Sequence, residues 1–396
     1  MFLRCKFCKE QHLERDCPFL KKLKEFSPRI ETHFSGSSPP EIFVGRYNYP
    51  NVFTGVLSPS YYGNTEELSM PEIWYEKKLA INDILAHRAS MIYARFVSNI
   101  KKATRYTTTM QEIAMASRSV SSEFQLAKRP HLASFTDTHT AIIGNPAPLE
   151  SIRLEENPYI DKKVDYLVSD TDAKATNAIQ ELYKSKIPVS NIIKILSSGL
   201  LGLKKSRKLV PTRWSVTATD DIITKHIMQK IKSYQELGDF RLFHSEYLGN
   251  HYELIILPDV FSFEVIEIRI NEFNQPKGMW TDYESVFGRK KYAYDVTGAY
   301  YSNRLAFCEY LEKIKRQASC IVLREINPEY YAPLGVGILR EASRDAFSKK
   351  PEVFPDLKSL FKQINTRLKI NINNFLERSK LLANFRKQKR LSEFIN

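Results

Sequence analysis

Three cysteines and a histidine crowd the first seventeen residues in the pattern Cys5-x2-Cys8-x3-His12-x4-Cys17. Zinc takes four thiolate or imidazole ligands in a tetrahedron, and a Cys-x2-Cys pair wraps one edge of the ion in a tight turn. His12 and Cys17 would close the other edge. So short a unit, residues 1–33, needs a metal to hold a fold, so a structural zinc is expected; the alternative is free thiols on a frayed end. At the other end, Gln388 is followed by Leu391 and then by Phe394 and Ile395. That spacing sets Leu391 and the Phe394–Ile395 pair on one side of a helical turn. Such a turn can plug an apolar pocket while Gln388 hydrogen-bonds beside it. Arg386, Lys387, Lys389 and Arg390 add long-range attraction to an acidic rim. Residues 386–396 read as a peptide that docks on a sliding clamp, against the plainer reading of a last amphipathic helical turn.

Two further sets lie between the ends. Arg289, Lys290, Lys291, Tyr292 and Tyr294 are followed by Tyr300, Tyr301 and Arg304. Cations that pair with phosphates, interleaved with rings that stack on bases, suit single-stranded or distorted nucleic acid. The same residues would also serve a half-buried strand followed by an amphipathic helix. The acidic set is Asp170 and Asp172, Asp220 and Asp221, and Asp295. Carboxylates at strand ends can hold magnesium for phosphodiester cleavage, but aspartates at helix starts more often cap free amides.

The elements that must position these residues belong to a chain of 396 residues, 43% hydrophobic, with Lys+Arg 59 against Asp+Glu 45 and a net charge of +14. That excludes a mainly disordered chain and favours a polyanionic partner. No run reaches the roughly 18 apolar residues of a membrane span, and the start lacks an apolar signal region, so a cytoplasmic protein is expected. In that reducing compartment an odd count of five cysteines points to metal rather than disulfides.

Ser35 to Pro40 reads as a linker, and residues 41–385 as one core domain. Within it, Glu41 to Arg46 reads as a short strand and residues 71–97 as a helix. Val164, Tyr166 and Val168 alternate like a strand, with a helix opening at Asp170 and Asp172. Phe240 to Phe243 and Tyr252 to Ile256 flank a hairpin turn at Gly249-Asn250, Phe263 to Ile270 is a third strand, Ala299 to Gln317 a helix, and Cys320 to Leu323 a buried strand. Asp356 to about Lys387 is helical. The class expected is α+β, an antiparallel or mixed sheet with surrounding helices.

The strings Ser38-Pro39-Pro40-Glu41-Ile42-Phe43-Val44-Gly45-Arg46, Val168-Ser169-Asp170-Thr171-Asp172, Val210-Pro211-Thr212-Arg213-Trp214-Ser215-Val216-Thr217-Ala218 and Phe287-Gly288-Arg289 resemble the Nre family of archaeal DNA repair proteins. Pro-Thr-Arg-Trp-Ser is the most specific of them. The resemblance implies an N-terminal cysteine cluster and a C-terminal motif for the sliding clamp (PCNA), and both are present. His12 stands where the cluster would carry a cysteine, and Phe394-Ile395 where the motif would carry two aromatics. It also implies DNA damage repair, but supplies no reaction. Arg46, Arg213, Trp214 and Asp295 are the candidates for a shared site, with Trp214 either a buried core anchor or a stacking platform. Two functions follow. One is a repair factor that binds DNA and is recruited by the clamp. The other is an enzyme on damaged DNA or nucleotides, using Arg46, Asp170, Asp172, Arg213 and Asp295. An RNA-processing protein is the alternative outside DNA.

Overall fold

The computed structural model describes residues 18–132 and 142–387. The expected zinc ligands Cys5, Cys8, His12 and Cys17, and the docking residues Gln388, Leu391, Phe394 and Ile395, lie outside the described residues. The stretch read as one core domain is organised as two compact units. One runs to Ile223 and takes back Ala332–Ile338; the other holds Thr224–Tyr331 and the chain from Leu339 onward. Both are built on a mixed six-stranded sheet with helices, as the α+β expectation requires. No described helix is long and apolar enough to cross a membrane.

The first unit opens with α1 (Pro18–Phe26), β1 (His33–Ser38), β2 (Ile42–Val44) and β3 (Asn51–Ser58). After these come α2 (Pro71–Glu76), α3 (Ile81–Ser90), β4 (Ile92–Asn99), α4 (Arg105–Met115), β5 (Val120–Leu126) and β6 (Asn145–Leu154). Next are α5 (Lys162–Ser169), α6 (Ala175–Lys184), α7 (Val189–Ser197) and the start of α8 (Thr212–Ile231). The sheet order is β1-β5-β6-β4-β3-β2, with β4 and β6 parallel and the other pairs antiparallel. Its core gathers Val52, Val56, Phe96, Phe124 and Leu126 with Met110 and Ile113 of α4.

Three local readings are corrected here. Most of the linker read over Ser35 to Pro40 is the end of strand β1, paired with β5. Its Gly36 is required because a Cβ there would stand 2.1 Å from the Pro59 carbonyl oxygen. The single helix over 71–97 is two short helices and a strand: Lys78 turns to φ 52, and β4 lies between β3 and β6. Val164 to Val168 belongs to helix α5, where Asp161 accepts from the Lys163 amide at 2.7 Å, Val164 and Leu167 are buried one turn apart, and Tyr166 faces out. Five alternating residues cannot separate the two periods, and the cap decides it.

The second unit contains the β7 (Phe240–Tyr247) and β8 (Asn250–Leu257) hairpin, β9 (Ser262–Ile270), β10 (Pro276–Glu284), α9 (Gly298–Ile314) and β11 (Ser319–Ile326). Then come α10 (Val336–Ser348), which starts in the first unit, β12 (Glu352–Phe354), α11 (Leu357–Asn365), α12 (Asn373–Leu376) and α13 (Lys380–Lys387). The order is β10-β9-β11-β8-β7-β12, with β9 and β11 parallel. β8 and β11 are buried along their whole length, the apolar runs Leu254–Leu257 and Cys320–Leu323 together with the charged Glu253, Arg324 and Glu325. Ile255, Ile266, Ile268, Ile321 and Leu323 face Leu360, Ile364, Phe375 and Leu381 of α11 to α13. Phe263, on the other face, packs on Tyr300 and Phe307 of α9. The helical reading from Asp356 is three helices, and Asp356 caps the first of them through the Ser359 amide at 2.8 Å.

Candidate nucleic-acid interface

In the first unit a string at the start of α8 meets the loop after β2. Pro211 stands before the first helical residue, and its carbonyl accepts from the Trp214 and Ser215 amides. A proline is well placed there, since it has no N–H to satisfy. Thr212 is tied down from two sides: its hydroxyl accepts from the Val44 amide at 2.9 Å and lies 3.1 Å from the Ser197 hydroxyl. Ser215 turns inward, fully buried. Held this way, the helix start presents Arg213 and Trp214 to solvent, with Trp214 46% exposed. The core-anchor reading of Trp214 is thereby corrected.

The β2–β3 loop supplies the neighbours. Tyr49 packs its ring 5.5 Å from that of Trp214, and the Arg46 guanidinium lies 5.2 Å over Tyr47. Gly45 admits a close turn: its amide donates to the Phe53 carbonyl at 2.8 Å, and a Cβ would stand 3.0 Å from that oxygen. On β3 and β4, Val52 and Thr54 point into the core, which leaves Phe53 outward beneath the Arg95 guanidinium at 4.4 Å. Burial first, and then the Arg95 charge, hold the His131 imidazole below its ordinary range. The structure thus sets Arg213 and Trp214 side by side in solvent and packs Tyr49, from the loop that carries Arg46, against Trp214. It adds Tyr47, Tyr49, Phe53 and Arg95, which the sequence reading passed over. Arg46-Tyr47-Asn48-Tyr49 carries the same basic-aromatic interleaving as the later loop and was the available signal.

The second unit carries that later loop, between β10 and α9. Arg289 anchors it: its guanidinium pairs with Asp282 at 2.8 Å, donates to the Tyr283 carbonyl at 2.8 Å and lies over Tyr300. Arg304 is buried on α9 and pairs with Glu284 at 2.8 Å. Both arginines hold the loop in place, and Lys290, Lys291, Tyr292 and Tyr294 are the groups they leave exposed, with Tyr294 at 76%. Tyr301 turns inward and its hydroxyl accepts from the Ala293 amide at 3.0 Å.

The acidic residues do other work. Asp170 Oδ1 accepts from the Asp172 and Ala173 amides at 2.9 and 3.0 Å, closing the turn between α5 and α6. Arg207, from the run Lys204 to Lys208, donates to the backbone carbonyls of Val168, Asp170 and Gly202 and clamps the same turn. Asp220 and Asp221 fall in the middle of α8 rather than at a helix start. Asp295 lies in the second unit, where Oδ2 accepts from the Thr281 amide at 2.7 Å.

Fold and surface together define a basic, two-unit α+β protein that displays arginines, lysines and aromatic rings to solvent. The comparisons with known proteins narrow that class. The model for the archaeal Nre N-terminal region matches residues 12–281, and that for the archaeal Nre C-terminal region matches residues 284–394. The chain is 35% identical over 383 residues to DNA repair protein NreB of Archaeoglobus fulgidus, covering 96% of each chain. It is 38% identical over 363 residues to DNA repair protein NreA of the same organism, covering 89% of this chain and 90% of the relative. With DNA repair protein NreA of Haloferax volcanii it shares 34% over 360 residues, 84% of each. The chain belongs to the Nre family. No solved structure matches it.

Proposed function

We propose that this protein is a DNA repair factor that holds single-stranded or distorted DNA on its arginine and aromatic surfaces. A clamp (PCNA) peptide at residues 386–396 recruits it, and an N-terminal zinc bound by Cys5, Cys8, His12 and Cys17 holds the start of the chain. The observation that carries this reading is the exposed Trp214 beside Arg213 at a helix start, with Tyr49 of the Arg46 loop packed against it, in a chain whose curated relatives are named DNA repair proteins. Arginine pairs bidentately with phosphate, and the start of a helix offers amides to the same oxygens. An exposed indole stacks on a base that has left its own stack, and a duplex with every base paired offers it none. Lys290 and Lys291, with Tyr292 and Tyr294, repeat the combination in the second unit.

Fluorescence anisotropy with single-stranded, duplex and mismatched DNA, and with single-stranded RNA, tests this. Trp214→Ala is expected to cost about 1–3 kcal/mol on single strands, the usual worth of one stacked base, and Trp214→Phe to recover most of it. Lys290→Gln with Lys291→Gln should leave the fold intact and flatten the salt dependence by about 0.7 in log–log slope for each single-strand phosphate no longer neutralised. Binding that ignores both salt and Trp214 would sink the proposal, and a clear preference for RNA would turn it toward RNA processing. Zinc analysis of the full chain before and after Cys8→Ser tests the metal, with loss of about one equivalent expected.

The enzyme reading has less behind it. A hydrolytic metal site needs carboxylates aimed at one point. Asp170 commits an oxygen to the backbone amides that close a turn, and Asp295 commits one to the Thr281 amide.

A further inference from the structure

We infer that the β7–β8 hairpin of the second unit is a binding site for a divalent transition-metal ion, with His244, His251 and Glu246 as its ligands. Antiparallel register sets His244 opposite Glu253 and Glu246 opposite His251, so the four side chains form a square on one face of the two strands. One nitrogen from each imidazole and one Glu246 oxygen all lie within 4.8 Å of one another. Imidazole suits zinc, copper, iron and nickel, and two histidines with one carboxylate form a common three-ligand set that leaves coordination positions open.

The fourth corner carries the argument further. Glu253 is completely buried, and its Oε1 lies 3.0 Å from His251 Nε2 and 3.3 Å from His244 Nδ1. Its other oxygen faces Arg367 Nη1 at 3.4 Å, and Arg367 in turn reaches Glu352 at 2.5 Å. His244 Nδ1 also lies 3.2 Å from the Tyr252 carbonyl oxygen. Every partner of these two nitrogens is acceptor-only, so His244 Nδ1 and His251 Nε2 carry the protons. The lone pairs left for an ion are therefore on His244 Nε2 and His251 Nδ1, and His251 Nδ1 already lies 4.0 Å from Glu246 Oε2. A buried carboxylate that fixes the tautomer and the aim of ligating histidines is the usual support behind a metal site. Glu246 is 60% exposed, so its side chain is free to close the remaining distance, and solvent reaches the open side.

The test uses the full chain carrying Cys8→Ser, so that the expected N-terminal cluster does not compete. The protein is stripped with a chelator and titrated with cobalt(II). One equivalent should bind and give d–d absorption without the intense near-ultraviolet thiolate band. Addition of zinc should raise Tm, as any ligand of the folded state does. Glu246→Gln, an exposed and nearly isosteric change, and His244→Ala should each weaken cobalt binding at least tenfold and abolish the Tm rise. Glu253→Gln should weaken binding by about 10–100-fold without removing a ligand. No uptake of cobalt or zinc by the Cys8→Ser protein would overturn the inference. So would uptake and a Tm rise that Glu246→Gln and His244→Ala leave unchanged.

Discussion

Arg324→Ala is expected to destabilise the second unit by about 3–5 kcal/mol, because it strands a buried charge rather than merely trimming a side chain. Arg324 sits on β11 in the middle of the sheet, almost wholly buried. Its Nη1 pairs with Glu267 of β9 at 2.7 Å, while Nε and Nη2 both reach the Asn250 side-chain oxygen of β8, at 3.0 and 2.5 Å. The rings of Tyr252 and Tyr330 lie within cation–π range. Burial alone would push the guanidinium toward its neutral form, and the Glu267 carboxylate more than reverses that, so its affinity for the proton ends above the ordinary arginine range. Alanine leaves the Glu267 charge and the Asn250 oxygen without this donor, inside the sheet. Lysine should not rescue, since one ammonium cannot reproduce the three-nitrogen fork. Arg324→Met combined with Glu267→Leu should recover much of the loss, because removing both charges removes the desolvation cost with the pair. With two units in the chain, a single unfolding midpoint would blur the effect. Hydrogen exchange along β8, β9 and β11 is therefore the measurement, and unchanged protection there in Arg324→Ala would refute the account.

Removal of residues 388–396 is expected to abolish binding to the sliding clamp. Phe394→Ala alone should cost about 2 kcal/mol or more, roughly 30-fold in Kd, as buried aromatic anchors do. A terminal peptide loses conformational freedom on docking, so its few anchors must be apolar, adjacent and free of internal partners. Leu391, Phe394 and Ile395 meet that need, and Gln388 adds direction. Leu391→Ala should cost somewhat less, and neutralising Lys389 and Arg390 should slow association and reduce its salt dependence more than it changes the dissociation rate. Calorimetry on the full chain, the truncated chain and the isolated peptide separates these effects. Equal clamp affinity for the full and truncated chains would end the proposal.

These predictions draw on different depths of the molecule, and so does what could be read without it. By itself the sequence determined the buried strands β8, β9 and β11, the long α9 and the start of a helical stretch at Asp356, because apolar runs bounded by turn residues are local signals that burial on both faces only reinforces. It also marked Arg46, Arg213 and Trp214 as a set through the strings they stand in. Tertiary structure decided how those residues are used. Trp214 is exposed because Ser215 and the tethered Thr212 orient the first turn of α8. Arg289 and Arg304 face inward because Asp282 and Glu284 lie on the neighbouring strand β10.

The metal hairpin shows the division most sharply. His244-x-Glu246 and His251-x-Glu253 are plain in the sequence. A turn at Gly249-Asn250 would set Glu246 opposite Glu253 and His251 opposite Leu248. The observed turn is at Leu248-Gly249, both at positive φ, with Tyr247 opposite Asn250. A Cβ on Gly249 would stand 2.7 Å from the Tyr330 amide nitrogen, so the packing of a distant segment selects glycine for that corner. A shift of one position in the turn changes every cross-strand partner along the ladder. The ligand types were therefore legible in the chain, and their meeting was decided by the packing of a segment that lies far along it.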